Sequence, residues 1–293
     1  AEALQLAPAE SDPGEVLRLL TLAAGLRPAF EELLTALEPA PGGNAAGEAV
    51  PAGTYPANLV VSALLRQNRL EDALELAVQA APRLVEQIIR RAGPEFTRRG
   101  QLDRLHLLLS SLDEPWASLE ATLEWRLVAG VAAADYRHLL PFVDAHLASH
   151  PAPDLRARRA GLLPREARQA MAAEALQLAR TPLTLWQAGR MAPDPESAIT
   201  LLQEAVRLAE DTGSHFDIAR NAGALAAAYL DLGDLRRSLH WAEWALSVLD
   251  ENDIADTDRR KRILNLLAFA AMLCGETAGL RSRLEDALTL GSA

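Results

Sequence analysis

The stretch "LAAAYLDLGDLRRSLHWAEWAL" (225–246) reads as two short apolar helices joined by a Leu-Gly-Asp turn. One helical hairpin of this size cannot bury its own apolar stripe, so it must pack on a different element or on further hairpins like itself. The chain takes the second course. Taking Gly233 as the turn residue, small or apolar side chains fall before it at Leu225, Ala226 and Tyr229, and after it at Leu235, Ala242 and Ala245. The same ruler fits around Asn68, Gly100, Ala134, Pro193 and Gly275. Positions 5, 9 and 12 after these six turns hold sixteen apolar residues in eighteen places, Ser238 and His146 being the exceptions. A composition that is 49% hydrophobic would place about nine there.

The turn residues are spaced 32, 34, 59, 40 and 42 apart. The long interval reads as two irregular repeats, including "DLRARRAGLLPREARQAMAAEALQLAR" (154–180), which Pro164 breaks. Only 4% of residues are aromatic, while Ala and Leu dominate, so propensity favours helix over strand. Upstream, "DPGEVLRLLTLAAGLRPAFEELLTALE" (12–38) reads as two helices around Gly25, with Asp12-Pro13 as a helix start. "PAPGGNAAGEAVPAG" (39–53) has no packable pattern and reads as a flexible linker. The expected organisation is an N-terminal helical segment at 1–38, a linker at 39–54 and a helical repeat domain at 55–290. The first methionine is Met171, so Ala1 is expected to be a processed end or an internal residue of a longer protein.

A net charge of −11 argues against binding duplex DNA through the average field, because phosphate contacts need clustered Lys and Arg. The helix pair around Gly25 is the one alternative for such a role, and it lacks a clustered basic face. Neither a membrane-length apolar span nor a signal-peptide pattern occurs, and the single cysteine, Cys274, excludes a disulfide scaffold. A cytoplasmic setting follows as the expectation.

His146 and His150 stand four apart in "DAHLASH", a metal-compatible spacing, but Pro151 puts His150 at the helix end, where helix-dipole capping is the expected role. Cys274 reads as a small core residue, and Trp241 with Trp244 as packing between repeats or as a ligand platform. Trp125 and Trp186 fall on first helices. No nucleophile elbow, paired-carboxylate site or phosphate loop is present, so the chain is expected not to be an enzyme and to carry no cofactor or metal.

The frame around Gly233 resembles the tetratricopeptide repeat, with Tyr229, Gly233-Asp234, Ala242 and Ala245 at matching places; Ala226, Ser238 and Asp250 replace its usual Gly, Ala and Pro. The resemblance implies an all-α fold: about seven helical hairpins stacked into a right-handed superhelix. "LRPAFEELL" (26–34), "LLRQNRLEDALELAVQAA" (64–81) and "RRAGPEFTRRGQLDRLHLLLSSLDE" (90–114) together resemble the sensor region of MalT-like, ATP-dependent regulators of the LuxR class. Pro28 and Phe30 match, and Arg27 stands where histidine is usual. This resemblance implies a non-catalytic sensor and interaction domain of a signal-responsive transcription regulator, without its ATPase and its DNA reader.

In such arrays the first helix of each hairpin lines a concave groove. The matching polar and aromatic positions here are Asn58, Arg90, Arg91, Arg98, Glu124, Trp125, Gln187, Arg190, Arg220, Arg262 and Asn265. Six are arginines in an acidic chain, and the planar guanidinium fork suits carboxylate and phosphate. The expected ligand is therefore an anionic small-molecule effector or a partner-protein segment, with no direct nucleic-acid or membrane role. The alternatives carried are a solvated helix face and a stand-alone scaffold for a partner protein. A homodimer through the array ends or Trp241/Trp244 also stays open.

Overall fold

The computed structural model describes residues 55–275 and Glu285. The expected segment 1–38, the linker 39–54 and the second helix of the last hairpin lie outside the described residues. Among the described residues there is no strand. The helices follow one another as pairs: α1 (Tyr55–Arg66) and α2 (Leu70–Ala80), α3 (Val85–Arg98) and α4 (Leu102–Ser110), α5 (Glu120–Ala132) and α6 (Leu140–Ser149). Then come α7 (Pro153–Ala160) and α8 (Arg165–Leu178), α9 (Pro182–Arg190) and α10 (Pro195–Asp211), α11 (His215–Asp231) and α12 (Leu235–Glu251), and finally α13 (Thr257–Cys274). The fold is an all-α repeat of helical hairpins.

The turn residues share one backbone conformation. Asn68, Gly100, Ala134, Gly233 and Gly275 all have positive φ, between 57° and 82°. At the first four, the amide of the next residue donates back to the carbonyl four residues before the turn residue: Arg69 to Leu64, Gln101 to Phe96, Asp135 to Gly130 and Asp234 to Tyr229. That is the left-handed helix stop in which late carbonyls find partners outside the helix. Gly213 and Asp253 close the junctions between hairpins in the same way, through Ser214 to Ala209 and Ile254 to Leu249. Pro193 cannot adopt this conformation, and there Asp194 ends the turn by accepting from the Ser197 amide as the N-cap of α10. From α9 onward every helix starts on a side-chain cap, from Thr181, Asp194, Ser214, Asp234 and Asp256. The irregular hairpin separates into α7 and α8, with Pro164 as the N-cap of α8.

Two compact units divide the chain, Ala1–Ala92 and Gly93–Ala293. In the first, α1 packs on α2, and Val61, Leu64, Ala73 and Ala77 have no exposed surface. In the second, the first helices pack on one another in order (α5, α7, α9, α11, α13) while α8, α10 and α12 fill between them from one side. Most second-helix ruler positions are buried there: Leu105, Leu109, Val143, Ala205, Ala242 and Ala245 have no exposed surface, while Leu112, His146 and Ala198 stay partly exposed. Ser238, the polar exception, fits where alanine would, fully buried, with no hydrogen-bond partner for its hydroxyl. Each fully buried Leu in this arrangement contributes about 1.5–3 kcal/mol over an exposed one.

Candidate functional site

The wall formed by the first helices of the second unit is joined by polar and aromatic side chains as well as by aliphatic ones such as Leu123 with Leu155 and Ile218 with Ile263. Its first contact seats Trp125 of α5 on Gly93 of α3, where a Cβ would stand 2.0 Å from the indole. Next, the Arg158 guanidinium of α7 lies 4.8 Å from the centre of that same indole and donates to Glu124 at 2.8 Å. Asp154, four residues earlier on α7, accepts from the Thr181 hydroxyl at the start of α9, at 2.5 Å. Arg220 of α11 then lies 5.1 Å from the Trp186 ring of α9, and Arg259 of α13 lies 4.1 Å from the Phe216 ring of α11. The device recurs: an arginine on one first helix covers an aromatic on the first helix before it.

Electrostatically the wall is a chain of paired charges under strain from burial. Arg220 is 8% exposed, with Nη2 2.8 Å from Asp217 Oδ1. Burial is the main reason its guanidinium falls to about 10, partly offset by Asp217. Arg259, paired with Asp256 at 2.9 Å, is lowered for the same reason. Asp154 is raised, chiefly by desolvation, against the stabilising Thr181 hydrogen bond.

The predicted groove residues divide between this wall and the outside of the helices. Arg90 is exposed and tied to Glu86 along its own helix, and Arg91 is exposed beside it. Arg98 shares Glu95 with Arg99, and the Glu95 hydrogen bond is the main reason its guanidinium is raised. Trp125 is buried in the wall, and Gln187, 1% exposed, has neither side-chain Nε2 nor Oε1 hydrogen-bonded. Arg190, four residues after Trp186, lies 4.8 Å from the same indole that Arg220 covers. Arg190 is exposed by total area, yet its head is shielded enough that desolvation lowers it, with the charges of Arg168 and Arg262 adding to the shift. Arg262 and Asn265 are exposed, one turn apart on α13.

The structure therefore places Arg190 and Arg220 each against the Trp186 ring, with Arg262 within electrostatic reach of Arg190; the Gln187 amide lies near Gly161, and Arg90 and Arg91 belong to the other unit. Arg158, Asp154, Asp217 and Arg259 were not among the predicted residues. A signal for them exists: Trp125 and Arg158, Trp186 and Arg220, and Phe216 and Arg259 are aromatic–arginine pairs separated by about one repeat.

Segments far apart in the sequence of this unit also meet. The Ala255 amide, before α13, donates to the Arg98 carbonyl at the end of α3 at 2.7 Å, and Asp253 raises Arg98 electrostatically. Elsewhere, the His146 and His150 rings stack at 4.3 Å and 16°. Among the described residues no three His, Cys, Asp or Glu side chains gather as metal ligands. Trp241 and Trp244 meet edge to face at 5.2 Å and pack against the α11–α13 core. Cys274 is half-buried. No described helix is long and apolar enough to cross a membrane.

No family model and no curated protein matches the sequence. Among solved structures, the chain is similar to a signal transduction ATPase with numerous domains (STAND) protein with a tetratricopeptide repeat sensor, from Pyrococcus horikoshii. Identity is 15% and the TM-score 0.41, over 96% of this chain and 53% of that one. The chain thus spans about half the length of the structure it matches.

Proposed function

We propose that this chain is a non-catalytic binding segment of a signal-responsive transcription regulator, working in the cytoplasm. It takes an effector or partner segment on its first-helix wall. The observation that carries the reading is Arg190, an exposed guanidinium lying against the Trp186 indole with no carboxylate within ion-pair distance among the described residues. Ligand occupancy would act by shifting the population of states open to attached domains, by as much as its affinity differs between those states. The MalT-like resemblance of 64–81 and 90–114 supplies the regulator context. The second reading, a free-standing scaffold for a partner protein, is favoured by the same wall if its occupant is a peptide.

Two measurements separate these readings. The melting temperature of the chain, with and without an ultrafiltered metabolite fraction, tests the effector: a rise in wild type that is lost in Arg190→Glu supports it. A protein captured by wild type but not by Arg190→Glu, with metabolites inert, favours the scaffold, and neither response overturns binding on this wall. The flanking coding frame tests the regulator context. A phosphate-binding loop upstream and a helix-turn-helix downstream are expected, and nearby start and stop codons would sink it.

A further inference from the structure

The joints of the first-helix wall form a circuit. Trp125 of α5 rests on Gly93 of α3, and Arg158 of α7 on Trp125. Asp154 of α7 reaches Thr181 of α9, Arg220 of α11 covers Trp186, and Arg259 of α13 covers Phe216. The Ala255 amide, just before α13, then returns to the Arg98 carbonyl at the end of α3. This closing joint differs in kind from the rest. Elsewhere a side chain of one helix is set against the next, and Trp125, Glu124 and Arg220 are buried there. Here a backbone hydrogen bond of 2.7 Å and the approach of Gly100 to the Ala255 carbonyl join two turns whose residues Arg99, Gly100, Asp253 and Ala255 are exposed. Each lip is firm on its own side: Phe96 is buried, and Ile254 belongs to the α11–α13 core.

The two lips also differ in charge. Arg98 and Arg99 share the Glu95 carboxylate, so the α3–α4 turn keeps a positive charge. In the α12–α13 loop Asp250 and Asp256 are paired with Arg260 and Arg259, while Asp253 has no ion pair among the described residues. Asp253 acts on Arg98 electrostatically across the joint. We propose that this joint is an electrostatic clasp, through which the array exchanges between a form closed at Arg98–Ala255 and a form with the α3–α4 turn swung off the α12–α13 loop. The other joints cannot part without exposing buried aromatic or charged side chains, so the circuit opens where only exposed backbone and screened charge hold it. The clasp is independent of what the wall binds; a ligand or partner with unequal affinity for the two forms would shift their populations.

Pulsed electron spin resonance on the whole chain tests this, with spin labels at Ser110→Cys on α4 and Arg236→Cys on α12 in a Cys274→Ser background; both labelled positions are exposed. At low ionic strength a short distance is expected to dominate, with a longer component that grows as salt is added. Asp253→Asn keeps a side chain tolerated at the φ of 50° and removes the charge. The longer component should then rise about two- to fivefold at low salt, the range for an exposed ion pair, and lose its salt response. Gly100→Val should make the longer distance the major one, with circular dichroism unchanged. If that variant loses helical signal, Asp253→Asn and the salt series decide in the same terms. One distance throughout, at every salt concentration and in both variants, overturns the clasp. A longer component that responds to salt equally in Asp253→Asn overturns it as an electrostatic device.

Discussion

Residue 93 illustrates how little separates a joint of the wall from a clash. Trp125 lies flat where residue 93 would carry its Cβ, and no rotamer of a neighbouring side chain relieves a 2.0 Å approach to an indole. Gly93→Ala must push Trp125 off its seat and with it the Arg158 guanidinium above. Overpacking of this kind costs about 1–3 kcal/mol. The expected result is a lower denaturation midpoint together with a changed tryptophan emission; unchanged values would mean that the wall yields at no cost. Asp154 gives a pH signature. Its folded-state pKa is raised above the ordinary 3.8, so the native state holds its proton where the unfolded chain has lost it. Stability from this group is therefore full at the acid end and falls as pH rises through the window above 3.8. Asp154→Asn keeps an acceptor for Thr181 and removes the titration. Melting temperature against pH should then fall less steeply from acid to neutral than in wild type, and parallel profiles would refute the assignment.

At the scale of elements, the helix stops carry the repeat, and Ala134 pays for one of them. It holds a φ of 57°, where an L side chain crowds the following carbonyl by about 1–2 kcal/mol. The neighbouring stop at Gly100 has the same hydrogen bonding without that strain. Ala134→Gly is expected to stabilise by about 0.5–1 kcal/mol, the relieved strain less the entropy of a freer unfolded chain, read as a higher denaturation midpoint with an unchanged m-value. A lower midpoint would show that the alanine methyl makes a contact worth more than the strain. Positions like this are legible in sequence because a helix stop needs a particular backbone conformation, which Gly and Asn supply cheaply. The caps are legible too, as Ser, Thr or Asp one residue before an apolar-periodic run. Ala134 was found only through spacing, since nothing in its own chemistry marks a left-handed turn.

For the second unit as a whole, the contact between Arg98 and Ala255 joins helices far apart in sequence. Gly100 sits under it, with a φ of 67° and a would-be Cβ only 2.7 Å from the Ala255 carbonyl oxygen. Gly100→Val strains the turn and drives Ala255 away, breaking its hydrogen bond to Arg98. Hydrogen exchange at the Ala255 amide should accelerate at least tenfold, while amides in the α11–α12 core keep their protection. Equal protection at Ala255 would mean the contact is held by something other than this approach. Repeat number, the turn residues and the buried face of each second helix could be read along the chain, because each depends on residues within one hairpin and on a period of 3.6. The candidate site could be read only in part. Gln187, Arg190, Arg220 and Arg262 were found as polar positions on first helices, but Arg90 and Arg91 look the same in sequence and belong to the other unit. Whether an arginine ends on an indole, on an acid or on neither depends on the helix one repeat away and on the rotation between the two. Local pattern thus determined that this chain builds helical hairpins and where each one turns. Only tertiary packing decided which charges are buried, which are paired and which stay exposed, because burial and pairing are properties of neighbours that the chain meets only once it has folded.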